Sequence, residues 1–127
     1  MRKQISVVPQ NVILFNTSLR SNIILNEKYN KNKLNKLVKI LKLPDINKNG
    51  LKLSHGQKQR VLIARILYNT KKSLYIFDEP LSAVDSVTAI DIQKHILHFL
   101  KENNKIGIFI SHNEKIGNFI KKKIRIN

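Results

Sequence analysis

The sequence contains no cysteine and no tryptophan. Without cysteine there are no disulfides and no thiolate metal sites, so the chain must hold together by packing alone; a reducing compartment is allowed. Glycine is scarce: Gly50, Gly56, Gly107 and Gly117 are the full set. None of them is followed by Lys-Ser or Lys-Thr, so the loop that cradles β- and γ-phosphates in P-loop proteins is absent. The longest apolar runs, such as Val61 to Ala64 and Gly107 to Ile110, fall far short of the ~20 residues needed to cross a bilayer. A chain soluble by itself is expected. The basic start Met1-Arg-Lys has no sustained apolar stretch behind it, unlike a secretory signal, and a cytoplasmic setting follows.

Acidic residues are also few, 8 against 24 lysines and arginines, which leaves a formal net charge of +16. Such an excess raises nucleic acid or an anionic membrane surface as partners. The plainer reading is stronger. Lys, Asn and Ile together make up about two-fifths of the chain, far above ordinary usage, which marks a compositional bias rather than a selected patch. The lysines are scattered, with few aromatics among them to stack bases, and their expected role is solvation. At 127 residues the chain has room for one domain with a modest core.

Gln4 to Val8 reads as a short strand stopped by Pro9, with a loop over Asn11 to Asn16. Thr17-Ser18 can cap a short helix over Leu19 to Leu25. Leu34, Leu37, Val38 and Leu41 recur at three and four residues, which predicts an amphipathic helix ended by Pro44. After a polar loop at Asp45 to Gly50, Ser54 stands where an N-cap belongs, ahead of a long helix from Gly56 to Tyr68 that is apolar on most sides. Leu74 to Phe77 reads as a central parallel strand buried on both faces, and Ile106 to Ile110 as a second buried strand. Between them, Val87 to Leu100 places Ile92, Ile96, Phe99 and Leu100 on one helical stripe. A short helix over Asn113 to Lys121 and a last strand at Lys123 to Ile126 complete the pass. Strands alternating with helices imply an α/β fold, a parallel sheet with flanking helices, together with a mostly helical segment from Thr17 to Gly50.

In parallel sheets a ligand sits beyond the carboxyl ends of the strands. Asp78 and Glu79 follow one strand directly, and Ser111-His112 follow another. A carboxylate at a strand end can hold Mg²⁺, and a second beside it can take a proton from an attacking water; alone, an Asp-Glu pair is as readily a solvated turn. In Leu53-Ser-His-Gly-Gln-Lys-Gln-Arg, a hydroxyl, a glycine and free backbone N–H groups at a helix start form a natural anion site. Gly56 would let the backbone approach a phosphate closely. Without context, a capping motif is the plainer account of the same residues.

Taken in order, Leu53-Ser-His-Gly-Gln, Leu74-Tyr-Ile-Phe-Asp-Glu-Pro, Leu81-Ser-Ala-Val-Asp and Ile110-Ser-His resemble the signature, Walker B, D-loop and H-loop of the ATP-binding cassette (ABC) ATPases. Upstream, Val8-Pro-Gln-Asn-Val-Ile-Leu-Phe-Asn resembles the Q-loop region of the exporter branch. The resemblance covers nearly the whole chain. It implies a partial P-loop NTPase-type sheet, with residues 1–16 as Q-loop strand and loop, 17–50 as a helical subdomain, and 51–127 carrying the signature helix, Walker B, D-loop and H-loop.

By the same resemblance, Gln10 would be the Q-loop glutamine, reaching Mg²⁺ or the attacking water. Asp78 would support Mg²⁺, Glu79 would polarise the water as catalytic base, and His112 would be the switch histidine at the γ-phosphate. Ser54, Gly56 and Gln57 would close over ATP held by an opposite subunit, and Asp85 would act across the same interface. Lys52, Lys58 and Arg60 are expected to serve helix solvation only. The implied partners are a transporter's transmembrane domain, a second nucleotide-binding domain and a P-loop-bearing upstream segment, with the chain at the cytoplasmic face of a membrane.

Two departures stand out. His55 occupies the place of the first of two signature glycines, harmless if the imidazole points outward and crowding if inward. The absent P-loop places Met1 inside what would be a full cassette, so truncation, a separately encoded upstream half and a degenerate relic all stay open. The isolated chain is expected to be inactive, and apolar surface left bare by a missing sheet edge would weaken its fold. The leading function is an ATPase module powering export. The alternatives are a non-catalytic module that docks on a transmembrane partner through Thr17 to Pro44, and nucleic-acid binding, which the string Leu81-Ser-Ala-Val-Asp disfavours.

Overall fold

Three parallel strands, β1 (Ile5–Val8), β2 (Leu74–Asp78) and β3 (Ile106–Ile110), lie side by side in that order in a computed structural model that describes residues 4–11 and 13–112. Among the described residues four α-helices accompany them, α1 (Leu19–Ile24), α2 (Lys31–Ile40), α3 (His55–Tyr68) and α4 (Ser86–Glu102), with a short 3-10 turn at Gly50–Lys52. The helix and strand expected over Asn113 to Lys121 and Lys123 to Ile126 lie outside the described residues. Among the described residues no helix is long and apolar enough to cross a membrane.

The strand register sets Val8 beside Phe77 and Phe77 beside Phe109, so all three strands finish at one edge of the sheet. Side chains alternate between faces, and the two faces differ sharply. One carries Val8, Tyr75 and Phe77, all buried. Phe77 stacks on Phe109 with ring centroids 4.6 Å apart, and Tyr75 meets Phe99 of α4 edge-on at 5.8 Å. Gly107 lies under Leu100 where any Cβ would collide with it, which lets the end of α4 rest on β3. The opposite face carries Val7, Ile76 and Ile108 in one row, with Ile106 and Ile110 on the same side. Ile106 is 66% exposed, and Val7, Ile108 and Ile110 are exposed as well. The expectation that β2 and β3 are buried on both faces is therefore corrected. Each packs on one face only, because no described element covers the other. Bare apolar surface does occur, on a face of the sheet rather than at a missing edge.

The helix α3 is apolar on most sides because it is sandwiched. Val61, Leu62, Ile63, Ala64, Ile66 and Leu67 are buried, with α1 and α2 against one flank and β1 against another. Such all-round burial is the ordinary reason for a helix without a wide polar face. Its start is set by Ser54, whose Oγ accepts the Gln57 N–H while the Gln57 side chain accepts the Ser54 N–H. That reciprocal pair satisfies two of the donors a helix start leaves open.

Pro44 is not what ends α2. The helix closes at Ile40, with Leu41 as C-cap and Lys42 at φ 50° in the left-handed region. The carbonyls left open at such an end need donors. Arg60 of α3 supplies them, donating to Lys42 O at 2.8 Å and Leu41 O at 3.4 Å. Arg60 is thus a tie between α2 and α3, not a solvating residue as the sequence reading had it.

The loop before α1 is organised by Asn22, which is fully buried. Its Oδ1 accepts the Phe15 N–H at 2.8 Å and an Arg65 guanidinium N–H at 3.1 Å. Its Nδ2 donates to the carbonyls of Phe15, Thr17 and Ser18. Arg65 also donates to Asn22 O at 2.6 Å, and burial pushes its guanidinium below the ordinary arginine range. Gly50 sits against this amide, where a Cβ would meet Asn22 Nδ2 at 2.9 Å. Asn22→Leu keeps the branching of the side chain but takes the partner from one N–H of the half-buried Arg65 guanidinium and from the Phe15 amide, while the Arg65 bond to Asn22 O survives. It is expected to lower the unfolding free energy by about 3 kcal/mol, while Asn26→Ala on the exposed side changes it by less than about 0.5 kcal/mol; urea unfolding of the full chain measures both.

Candidate functional site

The chemistry-bearing groups gather where the strands end. Gln10 follows β1, Asp78 and Glu79 close β2, and Ser111-His112 follow β3, all at the same edge of the sheet. Glu79 continues the β2 to β3 ladder one residue further, its N–H donating to Ile110 O at 2.8 Å. Its backbone then turns into the left-handed region at φ 47°. A non-glycine residue stays there at a cost of about 1–3 kcal/mol, and only when its surroundings fix it.

The surroundings do so from three sides. The Glu79 carboxylate, in a residue only 9% exposed, accepts the His112 N–H at 2.9 Å. The His112 imidazole stands over it in solvent, Nε2 3.5 Å from Oε1, with its side chain 97% exposed. From beneath, the Glu79 carbonyl accepts a hydrogen bond from Gln59 Nε2 at 3.2 Å. Of the residues singled out from the sequence, Glu79 and His112 are thus brought into direct contact. Asp78 lies beside them, half-buried, with no side-chain hydrogen bond or ion pair among the described residues. Gln10 is exposed at the neighbouring strand end and touches neither through a hydrogen bond.

Ser54, Gly56 and Gln57 form a separate corner at the start of α3. Ser54 and Gln57 bond each other in the capping box, and His55 is exposed, its imidazole outward. Gly56 has a use inside the chain that the sequence reading did not foresee. A Cβ there would stand 2.5 Å from Ala83 O, so the missing side chain lets α3 close onto the turn formed by residues 79–84. Asp85 ends that turn as the N-cap of α4, its Oδ2 accepting the Thr88 N–H at 3.0 Å. That hydrogen bond holds the Asp85 carboxyl below the usual carboxylate range. The cap is therefore present above the ordinary carboxylate pKa and is lost as pH falls through the depressed value.

Gln59 was missed in the sequence reading. It is 1% exposed and makes three hydrogen bonds to the same turn: Nε2 to Glu79 O and to Ser82 Oγ at 2.9 Å, and Oε1 from the Ala83 N–H at 3.0 Å. The available signal was a polar residue three and four positions before Leu62 and Ile63, on the buried side of an apolar helix. Gln93, on α4, is also fully buried, and neither polar atom of its side chain has a hydrogen-bond partner among the described residues.

A parallel α/β layer with carboxylates and an imidazole at the strand ends is the layout of the P-loop NTPase class. The chain superimposes on a bacterial Atm1-family ABC exporter with ATP bound, with a TM-score of 0.77 and 29% identity, covering 91% of this chain and 22% of that one. An ATP-binding protein of an ABC transporter from Pyrococcus furiosus matches with a TM-score of 0.78 at 24% identity, over 88% of this chain and 58% of that one, a likeness of fold. In sequence, the family model described as ABC transporter matches residues 1–82. ABC transporter C family member 1 of Dictyostelium discoideum is 36% identical over 120 residues, 85% of this chain and 9% of its own length. A provisionally named export ATP-binding/permease protein of Rickettsia prowazekii is 36% identical over 124 residues, 87% of this chain and 21% of its own length. The chain belongs to the ABC transporter family. It spans less than a quarter of the length of these two relatives.

The contact of Gly56 with Ala83 O makes Gly56→Ala the sharpest probe of the α3 corner. The added methyl is expected to force the turn away from α3 and lower the unfolding free energy by about 2 kcal/mol. His55→Ala, at an exposed neighbour, leaves it within about 0.5 kcal/mol. Equal effects of the two substitutions in a denaturant titration would contradict the close approach.

Proposed function

We propose that this chain supplies the signature, Walker B and switch-histidine portion of an exporter-type ATP-binding cassette, and hydrolyses ATP once completed by a P-loop-bearing segment and paired with a second cassette. The observation that carries this reading is the Glu79 carboxylate held at the end of β2, with His112 bonded to it from the end of β3. In this role Glu79 polarises the attacking water and His112 contacts the γ-phosphate. A nearly buried carboxylate with a fixed direction suits a general base, and an exposed imidazole beside it suits contact with a ligand arriving from solvent. Gln10, at the next strand end, completes the same edge.

Mg²⁺ fits the donor set in a limited way. Among the described residues no group of three His, Cys, Asp or Glu side chains could hold a metal ion. One carboxylate, Asp78, stands at the strand end without a competing partner among the described residues. Mg²⁺ is commonly held by one or two carboxylates plus phosphate oxygens and water, which is what this edge offers beside a bound triphosphate. The ion would neutralise phosphate charge; the residues of this chain orient the water and the ion's protein ligand. Ser54, Gly56 and Gln57 are assigned to ATP held by the opposite subunit, where the open N–H groups of the α3 start and the helix dipole favour a phosphate. Asp85, at the end of the same turn, faces that subunit.

The bare sheet face at Val7, Ile106, Ile108 and Ile110 supports the need for a completing segment, because a contiguous exposed apolar patch marks a surface that another element covers. The transmembrane partner and the placement at the cytoplasmic side of a membrane follow from the exporter relatives and belong to the same proposal.

The test has two arms. ATP affinity is expected to be weak for the chain alone and to appear on mixing with a P-loop-bearing partner; tight binding by the isolated chain contradicts the site assignment. In the assembled complex, Glu79→Gln is expected to lower turnover by about 10²–10⁴-fold with ATP still bound. Equal turnover would favour a passive docking module.

A further inference from the structure

Gln59 has no role in the function proposed above, yet it is a fully engaged polar side chain in the apolar core of the molecule. Its two N–H groups go to Glu79 O and Ser82 Oγ, and its carbonyl takes the Ala83 N–H. All three partners lie in one turn, and that turn opens with a residue at φ 47°. Apart from the Ser82 N–H, which reaches Glu79 O at 3.4 Å within the turn, the other ties of Glu79 come from the β3 side: Ile110 O accepts its N–H, and His112 N–H donates to its carboxylate. Gln59 is the tie from the helix side. Removing it leaves the Glu79 carbonyl with only the Ser82 N–H at 3.4 Å, inside the same turn, and takes away the tie from α3 that holds the left-handed backbone against relaxation toward the β region. The carboxylate would then swing with the peptide.

We infer that Gln59 is a positioning residue for Glu79: it locks the turn of residues 79–84 onto α3 and so fixes the direction of the Glu79 carboxylate. The inference rests on the reading of Glu79 as the base. It adds a physical link between the two corners of the site, because the helix that carries Ser54 and Gly56 at its start also carries Gln59 one turn further on. The link is short and direct. Gly56 abuts Ala83 O, and Gln59 bonds Ala83 N, so both carry any shift of α3 into the peptide chain that begins at Glu79.

The experiment uses the full chain assembled with a P-loop-bearing partner, and compares wild type, Gln59→Met, Glu79→Gln and the double variant. Methionine keeps the length and volume of glutamine without its hydrogen bonds. Gln59→Met is expected to lower ATP turnover by about 10²-fold, the effect of a misplacement near 1 Å, with the KM for ATP within about twofold. In the Glu79→Gln background it is expected to add no further loss, since a residue acting through Glu79 has nothing left to position. A residue that only strengthens the fold would lower the unfolding midpoint with turnover per folded molecule unchanged, or would add its full loss to that of Glu79→Gln. Either result overturns the inference.

If Glu79→Gln alone is silent, the base assignment fails, and amide hydrogen exchange on the full chain still decides the positioning claim. Gln59→Met is expected to speed exchange at Glu79 and Ala83 with Ile63 unchanged; unaltered exchange at Glu79 overturns it. Should Gln59→Met fail to fold, Gln59→Asn serves in its place. It stays neutral and polar but is one methylene shorter, so its amide is drawn back from Glu79 O, with the same expected and overturning outcomes.

Discussion

The hydrogen bond from Glu79 N–H to Ile110 O is the interaction on which the arrangement of the site depends. It extends the parallel ladder of β2 and β3 by one residue, and by doing so fixes which residues of the two strand ends face each other. A one-residue slip would invert every side chain of β3. Phe109 would leave the stack on Phe77, and the backbone N–H of His112 would no longer meet the Glu79 carboxylate. Packing beneath the sheet and chemistry at its edge are therefore set by the same register. The apolar core specifies it far more strongly than the polar groups could by themselves.

The second constraint is the central position of α3. It touches the helical segment on one side and the sheet on the other, and its polar side chains are used as ties rather than for solvation. Arg60 closes the end of α2, Arg65 holds Asn22 and the loop before α1, and Gln59 holds the turn after β2. Each tie supplies a donor to carbonyls of a neighbouring segment, worth about 0.5–1.5 kcal/mol for an ordinary hydrogen bond and more where the donor is charged. A rigid helix with three such ties is suited to relay a change at its Ser54 start to the Glu79 strand end.

Much of this was legible in the sequence. The apolar run at Leu74 to Phe77, the stripe of Ile92, Ile96, Phe99 and Leu100, and the Ser54 N-cap gave the elements and their order, because apolar runs, periodicity and caps are local properties. The ordered strings around Ser54, Asp78, Leu81 and His112 gave the family. What was not legible depended on contacts distant in the chain. Ile106, Ile108 and Ile110 read as buried because their composition is that of a two-sided strand, and the sequence does not say which face has a cover. Arg60 read as a solvated cation because the carbonyls it caps lie 18 and 19 positions earlier. Lys42 replaced Pro44 as the stop of α2 by adopting a left-handed backbone that nothing in its side chain announces. Gly56 read as an opening toward phosphate, and a second use of its missing Cβ, room for Ala83 O in the same chain, was not legible.

The most direct measurement of the central claim is amide hydrogen exchange at His112, compared between the wild-type chain and Glu79→Ala. The His112 N–H donates to the Glu79 carboxylate, while Phe109, inside β3, lies within the strand ladder. The expected result is faster exchange at His112 in Glu79→Ala with Phe109 unchanged. Equal exchange at His112 in the two chains would mean that the strand ends do not bring the carboxylate and the histidine together, and the site would have to be redrawn.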